Sequence, residues 1–261
     1  MKSRFIVKTA YANIYSEPKF SSQLVTQALF FETLEVISSH GDWLEVCQWD
    51  GYTGYTHKFY LSDDISNQEN EFLVTDRFIP LYDSSDYNNI AMFAPFGSLI
   101  LTDSKDERCY MTVIDNKNYW FSDSPKDSSL DYFSRDNIIM HSKNLLGSPY
   151  LWGGKTPFGY DCSGFVQQVF KSINIFLKRD TSEQIKDDRM NSVDLESVNI
   201  GDIIFFDMDG KGVDHVGIWY GQNQVIHCGG EVKIQSIDDN SHRCLRNHII
   251  DIKSIGKLLD E

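Results

Sequence analysis

Positive charge is scarce in this chain. Lys and Arg number 24 against 38 Asp and Glu, a formal net charge of −14, and the basic residues never gather into a run. Nucleic acid is therefore excluded as an expected partner, and docking on an anionic surface is opposed; small soluble substrates suit the charge better than a large polyanion. Long apolar runs are missing too. The opening MKSRFIVKTAYANIYSEP has no apolar stretch of seven and no small-residue cleavage site, and no later stretch reaches bilayer-crossing length. The expectation is a cytoplasmic protein with no membrane partner. The five cysteines, Cys47, Cys109, Cys162, Cys228 and Cys244, are odd in number and form no C-x-x-C pair. That argues against a disulfide framework and against a cysteine-rich zinc site.

The 261 residues are 41% hydrophobic, enough for two or three cores. The first 125 or so carry aromatic and β-branched residues in short runs broken by turn signals, and they repeat. IYSEPKFSS from Ile14 aligns with LYDSSDYNN from Leu81, and FETLEVISSHGDWLEVCQWDGY from Phe31 aligns with FGSLILTDSKDERCYMTVIDNKNY from Phe96. Two copies of one small β-barrel are expected, over 1–63 and 70–125. Asp50-Gly51 marks a two-residue hairpin turn. The polar stretches SDDISNQENE (62–71) and SDSPKDSS (122–129) read as connections.

From residue 130 to 261 the pattern becomes helices followed by an antiparallel meander, an α+β domain. SRDNIIMHSKNLLGSPY predicts a helix with Asp136 as capping candidate and Gly147 and Pro149 as stops. YDCSGFVQQVF predicts a second helix: Phe165, Val166, Val169, Phe170 and Ile173 make one apolar stripe, with Cys162 at its start. RDTSEQ offers a capping box from Asp180 to Glu183. The strands are GDIIFF, VDHVGIWY, QVIHCGG and EVKIQSI.

A thiol at a helix N-terminus is favoured as thiolate by unpaired N–H groups and the helix dipole, yet such a cysteine also serves simply as a small buried residue. A partner base decides between the two. His215 and His227 are symmetric about Gly221, so a hairpin turning there sets them face to face, one able to orient the other. Zinc held by Cys162, His215, His227 and Cys228 is the competing arrangement, disfavoured because Cys228 points away from His227 on a regular strand. His40, His57, His141, His242 and His248 read as surface residues.

The ordered blocks SPYLWGG, DCSGFVQQVF, RDTSEQ, GDIIFF, DHVGIWYG and VIHCGG resemble the NlpC-type cell-wall cysteine peptidases, a papain-like α+β family, over roughly 130–261. The repeated modules resemble bacterial SH3-like domains, and the combination resembles the γ-D-glutamyl-L-diamino acid endopeptidase subfamily. The resemblance implies a monomeric hydrolase without metal or organic cofactor. It would cut the γ-D-Glu bond to diaminopimelate or L-Lys in murein peptides with a free N-terminal L-Ala, in wall-peptide recycling. It makes Cys162 the nucleophile, starting as a thiolate paired with protonated His215, makes His215 the base and makes His227 its orienting residue. It places Tyr150 at the oxyanion, Asp161 and Ser163 at the substrate amine, Trp152 and Thr181 on the groove wall, and Tyr55 of the first module at the position of a family aromatic. From the residues alone, Asp161 is equally a helix cap, Tyr150 and Trp152 core aromatics, and Thr181 a first-turn residue. An amidase or acyltransferase on the same fold, or a non-catalytic wall-binding protein, are the other functional readings.

Overall fold

The computed structural model describes residues 3–63, 70–106, 109–122, 133–238 and 244–259. Most of both polar connections, and His242, lie outside the described residues. The chain divides into two compact units, one formed by Met1–Leu130 with Lys155–Pro157 and the other by Asp131–Gly154 with Phe158–Glu261.

The first unit holds two antiparallel sheets. One has seven strands, in the order Leu24–Leu29, Tyr11–Tyr15, Thr53–His57, Trp43–Cys47, Thr33–His40, Arg4–Val7 and Leu61–Ser62. The other has six, in the order Ile90–Pro95, Phe78–Tyr82, Lys117–Ser122, Cys109–Ile114, Leu99–Asp106 and Asn70–Leu73. Arg4 to Asn70, Leu24 to Ile90 and Thr33 to Leu99 are each 66 residues apart, so the sequence repeat is a repeat of topology. Burial alternates along Tyr11–Tyr15 and Phe78–Tyr82 alike, the period-two pattern of a strand with one wet face. The first copy has a core of its own around Ala12, Ile14, Leu34 and Val46, and a second core is shared between the copies. Ile6, Phe30 and Phe31 pack in one cluster with Phe72, Leu81, Ile100 and Phe121, and Lys8 Nζ reaches Asp115 Oδ2 at 2.9 Å.

Two-residue hairpins close at Gly41-Asp42 in the first copy, between the paired His40 and Trp43, and at Asp115-Asn116 in the second, but not at the expected Asp50-Gly51. Ile114 pairs with Lys117, and Asp115 and Asn116 both take positive φ, 54° and 57°. At Asp50-Gly51 the connection spans five residues instead, because Cys47 pairs with Thr53 and the Asp50 carboxylate accepts the Tyr52 N–H at 2.9 Å.

In the second unit, a six-stranded antiparallel sheet runs in the order Asn191–Ser192, Ile249–Ser254, Ile203–Phe206, His215–Gly221, Gln224–Gly229 and Glu231–Ser236. The helix Cys162–Lys171 packs on the strands of His215 and His227, and the helix Arg135–Asn144 packs on that helix. Phe165, Val166, Val169 and Phe170 are fully buried, at about 1.5–3 kcal/mol each in area removed from water. The opposite side of the sheet buries Ile204, Phe206, Trp219, Val225 and Ile252. The sheet is thus covered on both faces, which fixes the Cys162 helix start against the histidine strands.

Helix starts differ from the sequence expectation in two places. Ser134, not Asp136, caps the first helix, accepting the Asn137 N–H at 3.2 Å; Asp136 falls within the first turn, where a carboxylate faces the dipole instead of the orphan N–H groups. Asp180 precedes the helix Thr181–Gln184 but makes no side-chain cap bond. His141 is not a surface residue: it is 3% exposed, with Nδ1 2.6 Å from Ser172 Oγ.

Candidate active site

Asp161 sits in extended backbone ahead of the Cys162 helix and caps it, Oδ1 accepting the Gly164 N–H at 2.6 Å. Two glycines let the chain close tightly here. A Cβ on Gly164 would lie 2.3 Å from the Gly154 carbonyl oxygen, and one on Gly154 would lie 2.2 Å from that of Gly159. Cys162, in the first turn, is nearly buried. Its Sγ lies 4.0 Å from Thr181 Oγ1 and 3.9 Å from the carbonyl oxygen of Asp214. The backbone N–H groups of Ser163 and Val216 also bond the sulfur, so the residues on both sides of His215 touch it.

The histidine strands meet at a different register from the one symmetry about Gly221 predicts. The turn is Gln222-Asn223, both at positive φ, and a bulge falls between Trp219 and Gly221. Gly217, not His215, therefore stands opposite His227. The histidines still share a face as diagonal neighbours, and their rings meet edge to face at 4.9 Å with His215 Nε2 2.7 Å from His227 Nδ1. Gly217 makes the room. A Cβ there would lie 2.5 Å from Val225 Cγ2 and 3.0 Å from His227 Cβ, and its φ is not in the left-handed region, so the constraint is one of space. Gly217→Ala should displace His227 and lower kcat about a hundredfold while the far-ultraviolet circular dichroism spectrum stays unchanged.

Burial sets the protonation of the site. It pushes the Cys162 thiol up to about 11, assisted by the Asp161 charge and opposed by Thr181 and the two N–H groups. Burial and Lys233 lower His215 to about 4. Burial, then His215, lowers His227 to about 3 against the pull of Gln235. At neutral pH these shifts favour neutral thiol beside neutral imidazole, in place of the expected resting thiolate and imidazolium, because desolvation outweighs the helix end. His215 must be unprotonated to act as base, so kcat/KM should hold level from about pH 6 to pH 9 and fall as the pH drops towards about 4. A pH–rate profile that instead declines above about pH 8.5, where an imidazolium would be lost, would favour the ion pair.

Tyr150 is 39% exposed, and its hydroxyl is pushed up to about 12 by burial and by the charges of Cys162 and Asp161; it stays a hydrogen-bond donor through neutral pH. Trp152 is 60% exposed, which rules out a core role. Thr181 is buried against the sulfur. Tyr55 lies in the first unit, paired with Tyr15 and with its ring edge-on to His40. Cys228 Sγ bonds the Tyr160 carbonyl at 3.1 Å while His227 bonds His215 and Gln235, so the four donors of the zinc arrangement do not converge. Among the described residues the group of possible metal ligands that does converge is Asp207, Asp209 and Asp214.

Asp161 and Ser163, expected at a substrate amine, are joined to each other and to Arg179. Arg179 NH1 donates to Asp161 Oδ1 at 3.0 Å and to Ser163 Oγ at 2.9 Å, and its NH2 donates to Asp161 Oδ2. Gly153 N–H adds a bond to Oδ2 at 2.9 Å and Ser163 Oγ one to Oδ1 at 3.3 Å. Five donors fill the roughly four lone-pair sites of a carboxylate. Asp161 is therefore the anchor of the catalytic helix, held by Arg179. Arg179 was not singled out from the sequence; its signal is the basic residue opening RDTSEQ. Gln235, 3.2 Å from His227 Nε2, was also missed.

A thiol at a buried helix start, in contact with the backbone on both sides of a histidine that is hydrogen-bonded to a second histidine on an antiparallel sheet, fits a papain-like cysteine peptidase. Residues 147–250 match the NlpC/P60 family and residues 14–58 match the bacterial dipeptidyl-peptidase SH3 domain. A γ-D-glutamyl-L-lysine dipeptidyl-peptidase of Bacillus cereus is 30% identical over 79% of this chain and 68% of its own. One of the same name from Bacillus subtilis is 29% identical over 77% of this chain and 71% of its own. In fold, a crystal structure of an NlpC/P60 family protein from Bacillus cereus superposes with a TM-score of 0.81 at 23% identity, over 97% of this chain and 99% of that one. The chain belongs to the NlpC/P60 family. It is a cysteine peptidase with an SH3-like β-rich region ahead of the peptidase domain.

Proposed function

We propose that the protein is an endopeptidase of peptidoglycan peptides that cuts the γ-amide bond between D-Glu and the following diamino acid, releasing L-Ala-D-Glu from short peptides with a free N-terminal L-Ala. The observation that carries the chemistry is the hydrogen-bonded His215–His227 pair, with the backbone on both sides of His215, at Asp214 and Val216, touching the Cys162 sulfur; the names of the two Bacillus relatives support the bond and the dipeptide product. As the sulfur attacks the γ-carbonyl carbon, His215 takes the thiol proton, then gives it to the departing amine of the diamino acid. A γ-glutamyl thioester on Cys162 remains. Water, deprotonated by His215, cleaves it and restores the thiol. The Cys162 backbone N–H at the helix start and the Tyr150 hydroxyl are the donors for the oxyanion. Five cysteines outside any disulfide suit a reducing compartment, consistent with a cytoplasmic role in recycling wall peptides.

The test uses L-Ala-γ-D-Glu-L-Lys, its diaminopimelate analogue and the N-acetylated form of each, followed by mass spectrometry. L-Ala-D-Glu should be released from the free-amine peptides and not from the acetylated ones. No product from either free-amine peptide sinks the substrate assignment, and equal cleavage of acetylated peptides sinks the free-amine requirement.

A further inference from the structure

The relay of polar side chains does not end at His227. His215, His227 and Gln235 lie on three consecutive strands and share one sheet face: His227 pairs with Gly217 on one side and with Lys233 on the other, and Gln235 pairs with Val225. Each is a diagonal neighbour of the next. The contacts are His215 Nε2 to His227 Nδ1 at 2.7 Å and His227 Nε2 to Gln235 Oε1 at 3.2 Å.

We propose that Gln235 is a positioning residue that selects the imidazole tautomers on which the base function of His215 depends. An amide oxygen can only accept, so the neutral His227 ring bonded to it carries its hydrogen on Nε2. His227 Nδ1 is then a lone pair, and at 2.7 Å it must receive the Nε2–H of His215. A neutral His215 with hydrogen on Nε2 leaves Nδ1 bare, the state that can accept a thiol proton. With the opposite tautomers, His227 Nδ1–H would donate to His215 Nε2, and His215, with its hydrogen on Nδ1 and its Nε2 lone pair occupied, would have no free lone pair to act as base. Both rings are held neutral at pH 7 by burial and by Lys233, so tautomer choice, not charge, is the open variable. Lys233 faces His227 directly across the strand pair and reinforces this.

The proposal rests on the Cys162–His215 assignment, and two readouts separate its failure from a failure of that assignment. Histidine-selective nitrogen-15 spectra of the full chain need no turnover. They should show His227 protonated on Nε2 in the wild type at pH 7.5, and a mixture of tautomers in Gln235→Leu. In activity, Gln235→Leu should lower kcat roughly tenfold with KM unchanged, Gln235→Glu, which keeps an acceptor, should recover most of it, and Gln235→Leu should cost nothing further in a His227→Gln background. A wild-type His227 protonated on Nδ1, or a Gln235→Leu variant with wild-type tautomers and kcat, overturns the proposal. Should Gln235→Leu fail to fold, the wild-type spectrum and Gln235→Glu decide it alone.

Discussion

Cys162→Ala abolishes hydrolysis, with kcat falling by at least about four orders of magnitude, while the fold is retained. The retention follows from the burial pattern. The helix is anchored by Phe165, Val166, Val169 and Phe170 and capped by Asp161, and none of these touches depends on the sulfur. Removing one buried sulfur leaves a small cavity worth about 1 kcal/mol. The measurement is peptide turnover beside a thermal melt: an inactive protein that melts within about 4 °C of the wild type is the expected pair of results. Iodoacetamide supplies a second readout. Burial raises Cys228 to about 12 and Cys162 to about 11, so resting reactivity is modest at both, and protection of Cys162 by substrate distinguishes it.

Arg179→Leu has the largest expected effect on stability. The guanidinium is 2% exposed and the Asp161 side chain 10%, and the pair is bidentate, with a third bond to Ser163. Deleting one partner of a buried pair strands the other charge and costs about 3–5 kcal/mol, which for a chain of this size lowers the melting midpoint by about 10 °C. Because Asp161 also caps the catalytic helix and holds Gly153, the sulfur shifts as well, and kcat drops about a hundredfold. Asp161→Asn combined with Arg179→Leu should recover much of the melting temperature, since a neutral amide oxygen still caps the helix and no charge is left unpaired. Melting temperatures of Arg179→Leu, Asp161→Asn and the double variant give the coupling; additive losses would mean that Arg179 acts elsewhere.

The repeat, the helix of Cys162 and the histidine strands were legible in the sequence because each rests on local periodicity: alternation along Tyr11–Tyr15, a 3.6-residue stripe from Phe165 to Ile173, and short strands cut by glycines. Register was less so. The hairpin could be centred on Gly221 by symmetry, but non-glycine residues Gln222 and Asn223 took the left-handed positions and a bulge absorbed the difference. Face sharing survived because a shift of two in the residue sum keeps side chains on the same side. Asp161 was legible as a cap and illegible as a salt-bridge partner, since Arg179 reaches it from 18 residues away through a chain reversal that no local pattern encodes. Gln235 required the register of a third strand, and alternation along EVKIQS becomes informative only once His227 is paired with Lys233. His141 looked like a surface residue because its partner, Ser172, lies on another helix end.

The covalent intermediate tests the central claim most directly. Wild-type protein mixed with L-Ala-γ-D-Glu-L-Lys, quenched in acid within the first turnovers and mapped by peptide mass spectrometry, should carry L-Ala-γ-D-glutamyl as a thioester on Cys162 while free L-Lys is released. Release of L-Lys with the acyl group on another residue, or from the Cys162→Ala variant, would contradict it.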